Sequence, residues 1–397
     1  MASAVLEKIL SDRIGRIEIS QTLAVVNEAA KLKADGIDLA DYGAGEPHFA
    51  TPRHIKDAAI KAIEANFTRY TGVAGIPELR RAIVERHATD FGSNYAPEEA
   101  MCSAGGKLAL FNAFQVLIDH GDEVILPVPY WTSFKDIIQY AGGKPVLLYT
   151  SEEDGFKLRA AMVEKAITDR TKAIVVNTPC NPSGAVVPRE ELEAIAEIAH
   201  KRGIYLLSDE CYVYLDYTGK RYSAGGFTKY KDHILLLGSL SKTYAMTGWR
   251  VGSAIGPKPI IDAMSKLQSQ STSNTNSIAQ KASVAALNSS QDCVEEMRKD
   301  YINLRDHVLR RLGEIDGITC VKPEGAFYVY SNVSKFFGRH GMNSSADVAK
   351  KLLHEAHVVT VPGEAFGTKE HIRISYAVSR EEIDKGLDRM KKFFSSI

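Results

Sequence analysis

An α/β fold with a mainly parallel sheet, joined to a smaller α+β domain, is what the sequence predicts. Three observations carry the prediction. Between residues 122 and 256, short apolar runs alternate with longer amphipathic stretches. The runs are apolar at consecutive positions, as in strands buried on both faces, and do not alternate as half-exposed strands do. After about residue 290 the texture changes to a long charged helix, followed by short strands and helices at close spacing. Strands separated by helices wind into a parallel sheet covered on both sides.

Taken in order, the segment up to about Gly43 lacks the central kind of strand pattern and is expected to pack with the C-terminal part. "CSAGGKLALFNAFQVL" is a Gly-Gly turn opening a helix with a clear apolar face. The strand runs are "DEVILPVP", "KPVLLYT", "KAIVVNTP", "IYLLSDE", "HILLLGSLS" and "VGSAIG". "REELEAIAEIAHKRG" between them reads as a helix closed by a glycine. The long helix "DCVEEMRKDYINLRDHVLRRLGEI" leads into "GITCVKP", "GAFYVYSNV", "ADVAKKLLHEAHVVTVPG", "HIRISYAVS" and a last helix. The expected division is residues 1–45 as an N-terminal segment packing with the small domain, 46–295 as the large domain and 296–397 as the small one.

Composition narrows the partners. The 397 residues are 45% hydrophobic and 25% charged, ordinary for a globular protein of two or three domains. Lys plus Arg equals Asp plus Glu at 49 each, with no basic block, so nothing points to nucleic acid. Five scattered cysteines form no CxxC pair and no metal-ligand spacing. No apolar run approaches the roughly 20 residues of a membrane span. The first twenty residues mix acids, bases and apolar groups, unlike a signal peptide. The expectation is a reduced, cytoplasmic protein without metal, membrane or nucleic-acid partners.

Ligands of doubly wound sheets sit beyond the carboxyl ends of the strands. "AIVV" is followed by Asn177 and then Asn181, "IYLLS" by Asp209 and Tyr212, and "ILLLG" by Ser239, Ser241 and Lys242. Three successive strand ends thus deliver amides, a carboxylate with a phenol, and a lysine among hydroxyls. Upstream, Gly105 and Gly106 open a helix whose N-terminal N–H groups suit a phosphate. Arg250 offers that phosphate a bidentate charge. Trp131, just after "DEVILPV", offers a flat wall. Phosphate cradle, arginine, aromatic wall, aspartate and lysine are what pyridoxal 5′-phosphate (PLP) requires. The lysine forms a Schiff base with the aldehyde, and the aspartate keeps the pyridine nitrogen protonated.

With these residues in place, the sequence resembles the class I aminotransferases of PLP fold type I. Among them it is most similar to the bacterial and plant aspartate aminotransferases, a group that includes aspartate/prephenate enzymes. The motif S-x-S-K-x5-G-x-R-x-G stands as Ser239, Ser241, Lys242, Gly248, Arg250 and Gly252. "GEP", "RYTGVAGIPELR", "PYW", "NPSG", "SDECY", "GAFYV", "VPGEAFG" and "HIRISYA" extend the likeness from about Ser20 to the C-terminus. The resemblance implies a large domain with a mainly parallel seven-stranded sheet and a smaller α+β domain. It assigns Lys242 to the Schiff base and the proton shuttle, Asp209 to the pyridine nitrogen, and Tyr212 and Asn181 to the ring oxygen. Gly105, Gly106, Ser239, Ser241 and Arg250 would hold the phosphate, and Trp131 would stack on the ring. Tyr70 would reach the phosphate of a neighbouring subunit, which implies a homodimer with shared active sites. Arg373 would hold the substrate α-carboxylate, with Gly45 bordering the substrate. Lys107, helped by Thr22, would contact the distal carboxylate of a dicarboxylic substrate.

The implied reaction moves the amino group of L-aspartate to 2-oxoglutarate in two half-reactions, with prephenate as a further acceptor. A preference for prephenate, aromatic or alanine-type substrates, or a β-lyase or cyclising synthase on the same fold, are the alternatives. "GEPHF" carries His48 where the family commonly has aspartate, and "EIS" precedes Thr22 where Lys-Pro is common. Both bear on substrate choice. A transcription regulator with an aminotransferase-like domain would need a DNA-binding module, and no helix-turn-helix pattern precedes "GAGEP".

Overall fold

The computed structural model describes residues 10–17 and 21–397, with the side chains of 21–24 and 26 outside the description. Helix Gln21–Ala34 leads to strand β1 (Ala40–Asp41). Seven strands then form the large sheet: β2 (Ala100–Ser103), β3 (Glu123–Val128), β4 (Lys144–Tyr149), β5 (Thr171–Asn177), β6 (Tyr205–Asp209), β7 (Ile234–Ser239) and β8 (Gly252–Ile255). Their order is β2-β8-β7-β6-β5-β3-β4. β4, β3, β5, β6 and β7 pair in parallel. The apolar runs have the expected cause. Ile174, Val176 and Leu206 face one core, Ala173, Val175 and Leu207 face the other, and each is at most 1% exposed. Helices cover both faces. Helix Arg189–Arg202 buries Leu192, Ile195, Ala196 and Ala199 on one stripe. Glutamates occupy its first turn, basic residues its last, and Gly203 closes it at φ 67°, where a side chain would be strained.

Two features depart from the expected strands. "VGSAIG" does not continue the parallel winding: β8 runs antiparallel to both β7 and β2. Only the one-turn helix Leu240–Thr243 and a short 3₁₀ turn, Thr247–Trp249, connect it to β7, too little for a crossover. β2 was not among the expected runs. Its four residues, "AMCS", carry no β-branched side chain, although all four are buried.

The C-terminal part holds β9 (Thr319–Cys320), β10 (Tyr328–Asn332), β11 (Val358–Val359), β12 (Val361–Pro362) and β13 (His371–Ser375). β12-β13-β10-β9 form an antiparallel sheet, and β11 pairs in parallel with β1. Helix Asp292–Leu312 carries the chain from one core to the other. Val294 packs with the large sheet's cluster, and Met297, Tyr301, Leu304, Val308 and Leu312 pack with the C-terminal one. A backbone seam joins the two sheets' layers. Glu324 N and Gly325 N both donate to Gly184 O at 2.9 Å, and Ala326 N donates to Leu215 O at 3.0 Å. Gly184 makes this approach possible: a Cβ there would lie 2.3 Å from Pro323 Cβ.

Candidate active site

A cavity of about 370 Å³ opens beyond the carboxyl ends of β5, β6 and β7, between the large sheet and β10–β13. The parallel register aligns Asn177 with Asp209, so successive strand ends present their polar residues side by side. Asp209 and Glu210 are neighbours in sequence but not in surroundings. Glu210 turns into the protein, where its carboxylate accepts from Ser208 Oγ (3.1 Å), Ser223 Oγ (2.6 Å) and Ala224 N (3.1 Å) and lies 3.2 Å from His87 Nε2. Asp209 lines the cavity and accepts from Cys211 N at 3.0 Å. Burial, reinforced by the Glu210 charge, pushes its carboxyl up to about 7 against the pull of that N–H. No cation among the described residues pairs with it.

Lys242 sits on the one-turn helix whose N-terminus is capped by Ser239 Oγ, which accepts from Ser241 N at 3.1 Å. Its Nζ donates to Gly45 O at 2.5 Å. Burial lowers the ammonium below the usual lysine range, and the Arg373 and Arg250 charges act in the same direction. A lysine so placed supplies free amine near neutral pH more readily than a surface lysine.

Two segments converge on an anion cradle. Gly105, at φ 90°, precedes helix Gly106–Leu117, whose N-terminus no side chain caps. Arg250, itself left-handed at φ 56°, donates from Nη1 to Thr247 O at 2.9 Å and lays its guanidinium against Gly105. A Cβ on Gly105 would lie 2.3 Å from Arg250 Nη2, and one on Gly252 2.3 Å from Gly106 N. Unpaired N–H groups and a guanidinium around a glycine turn suit a phosphate. Gly105→Ala therefore strains the turn and displaces Arg250. A backbone penalty of about 1–3 kcal/mol corresponds to PLP binding about 5- to 150-fold weaker in a spectroscopic titration. Unchanged affinity in G105A would exclude this turn from the cradle.

Arg373 is 3% exposed and lies on β13, held between β10 and β12. Nη1 donates to Asn181 Oδ1 (3.1 Å) and Nη2 to Gly43 O (2.8 Å), while Nε has no partner. Asn181 is tied in turn: its N–H donates to Asn177 Oδ1 (2.8 Å), and Asn177 Nδ2 donates to Asp209 O (3.2 Å). Tyr212 Oη lies 2.8 Å from Tyr328 Oη. Lys107 places Nζ 4.9 Å from the Trp131 ring centroid, and partial burial together with the Arg250 charge lowers its ammonium.

The cavity brings together Gly45, Gly106, Lys107, Trp131, Asn181, Asp209, Tyr212, Ser239, Ser241, Lys242, Arg250 and Arg373. Gly105 stands behind Arg250. Tyr70 does not join them: its side chain is 92% exposed and lines no wall of this cavity. Thr22 lies in the first turn of helix Gln21–Ala34, and its side chain is outside the described residues. Sequence reasoning gave no role to Tyr328 or Cys211, which also line the cavity. Tyr328 was within the quoted "GAFYV", and Cys211 lies between Asp209 and Tyr212. Burial pushes the Cys211 thiol up to about 12, which keeps it neutral.

These features fit PLP: a cradle that a Cβ would fill, and a buried carboxylate with which no cation among the described residues pairs. Residues 37–390 match the family described as aminotransferase class I and II. The chain is 41% identical over 389 residues to the aspartate aminotransferase of Geobacillus stearothermophilus, covering 98% of this chain and 99% of that one. It is 42% identical over 395 residues to the aspartate/prephenate aminotransferase of Nitrosomonas europaea, covering 97% and 100%. The structure of Thermus thermophilus aspartate aminotransferase with maleate superposes with a TM-score of 0.92 at 43% identity, covering 96% and 99%. With this site at the strand ends of this sheet, the chain belongs to the aminotransferase class I and II family and is a PLP-dependent aminotransferase.

Proposed function

We propose that this protein transfers the amino group of L-aspartate to 2-oxoglutarate, giving oxaloacetate and L-glutamate. One observation carries the reading. Arg250, Arg373 and Lys107 line one cavity, and none has an acidic partner among the described residues. One such cation matches the phosphate of PLP, and the other two match the two carboxylates of a dicarboxylic substrate. Prephenate carries two carboxylates as well and remains within the same charge count. The relatives' names agree with both substrates.

PLP supplies, when bound, an electrophilic aldehyde for the incoming amino group and an electron-withdrawing ring. The residues of the chain do the rest. Arg373 orients the substrate through its α-carboxylate in a fork that lysine cannot reproduce. Lys107 holds the distal carboxylate, with Thr22 assigned beside it and Gly45 at the substrate's edge. Lys242, held as a weakly basic amine, would take the α-proton and return it two atoms away, on the far side of the amino nitrogen. Asp209 would pair, ionised, with the ring nitrogen. Tyr212 and Asn181 would donate to the ring oxygen, and Trp131 would stack on the ring. Gly105, Gly106, Ser239, Ser241 and Arg250 hold the phosphate.

We assign residues 46–295 to the PLP-binding domain, and 1–45 together with 296–397 to the small domain. The β1–β11 pairing and the passage of helix Asp292–Leu312 between two cores support this division. Tyr70, exposed on its own chain, is assigned to the phosphate of a second copy, which makes the working unit a homodimer. The cytoplasm is the proposed location, in keeping with five free cysteines and with no described helix long and apolar enough to cross a membrane.

Lys107→Ser tests the substrate. A charge-assisted hydrogen bond contributes roughly 1.5–3 kcal/mol. kcat/KM for aspartate and 2-oxoglutarate is therefore expected to fall about 10- to 100-fold. Half-reactions with alanine or phenylalanine change far less, because Arg373 still holds the α-carboxylate. Prephenate falls with aspartate. Equal losses for aspartate and alanine would sink the dicarboxylate reading.

A further inference from the structure

Strand β10 carries Tyr328 diagonally across from Arg373 of β13. The register pairs Tyr330 with Arg373 and Tyr328 with Ser375, and side chains two residues apart share a face. The Arg373 guanidinium lies 4.5 Å from the Tyr328 ring centroid, within the range of a cation–π contact. At the other end of the same ring, the Tyr328 hydroxyl meets the Tyr212 hydroxyl at 2.8 Å, and both residues are buried. Gly45 closes over the contact, since a Cβ there would lie 2.8 Å from Tyr328 Oη. Among the described residues, Tyr328 Oη has no other hydrogen-bond partner.

Two phenols that share one hydrogen bond must choose a direction. The donor spends its proton on the bond, and the acceptor keeps its own for a third group. The more acidic phenol is the better donor. Burial raises both phenols, but the Arg373 charge opposes that rise as the second-largest influence on Tyr328 and only as a minor one on Tyr212. The guanidinium that faces the Tyr328 ring makes Tyr328 the more acidic phenol and favours it as the donor, which leaves the proton of Tyr212 to point into the cavity that both residues line. A phenol that accepts a hydrogen bond becomes a stronger donor in turn.

We propose that Tyr328 is a positioning residue that ties Arg373 to Tyr212: its ring supports the guanidinium, and its hydroxyl donates to Tyr212, strengthening the bond from Tyr212 to the ring oxygen of PLP. The proposal rests on the site reading above and extends it by naming the link between the carboxylate clamp and the cofactor's proton balance.

The test is the pH-dependent absorbance of PLP-loaded protein. A strong donor at the ring oxygen lowers the proton affinity of the Lys242 nitrogen bonded to the cofactor. Tyr328→Phe keeps the ring and loses the donor, so the midpoint of the spectral transition should rise by about half to one pH unit. KM for aspartate should stay close to wild type. Tyr328→Leu removes the ring as well, and should add a rise in KM of about fivefold for aspartate and alanine alike. In a Tyr212→Phe background, Tyr328→Phe should produce no further shift. An unchanged or lowered midpoint in Y328F, or shifts that add in the double variant, would overturn the link. Wild-type protein that shows no PLP-dependent transition at all would overturn the proposed function beneath it.

Discussion

Lys242→Ala is expected to reduce amino-group transfer by about 10⁴-fold or more, since in the proposed mechanism this residue is both the covalent attachment and the proton carrier. PLP should still bind, because Arg250, the glycine turn and Asp209 are untouched by the change. Borohydride treatment followed by peptide mapping should mark Lys242 in the wild type and no residue in the variant. Small primary amines, added in solution, should restore part of the proton transfer, more so the better they fit the vacated volume. The assignment fails if the variant retains more than a few per cent of wild-type turnover, or if another lysine is the one labelled.

Asp209→Asn should separate stability from activity. In the cofactor-free protein the Asp209 carboxyl is raised to about 7, against 3.8 in the unfolded chain. A carboxyl with a raised folded-state value destabilises the fold once it must ionise. The penalty is absent below pH 3.8, grows between 3.8 and 7, and is complete above about 7. The cofactor-free D209N protein should therefore melt a few degrees above the wild type at pH 8. That advantage should shrink as the pH falls toward 5. With PLP the order should reverse, because the ionised carboxylate gains a cationic partner that asparagine cannot match. The rate of the first half-reaction should fall by about 10²–10³-fold or more with every amino acid. A variant that melts lower than wild type in both states would remove the argument from burial.

Much of this was legible in the sequence for a specific reason. Strands buried on both faces are written as unbroken apolar runs, and a parallel sheet gathers the residues after each run at one edge. Asn177, Asp209 and Ser239 therefore announced a site before any contact was known. What was not legible depends on pairing between distant segments. The antiparallel course of β8 is set by the short connection Leu240–Val251, not by the composition of "VGSAIG". "AMCS" is a strand because its neighbours bury it, and no propensity marks it. The contact of Tyr328 with Arg373 arises from a register between strands some forty residues apart. Tyr70 looks like any exposed tyrosine on a single chain, and only the resemblance gave it a role.

The guanidinium of Arg373 has consequences for which molecules the site refuses. Folding already removes most of its water, leaving it 3% exposed, so an arriving anion has little to strip. An α-amino amide, a methyl ester or a simple amine brings no charge to this position, and would leave the buried cation facing a neutral group. Sites built around a buried polar partner discriminate strongly against ligands that lack the matching group. In the role proposed for it, Arg373 would make peptides' internal residues and decarboxylated amines poor ligands of this enzyme, without any steric gate.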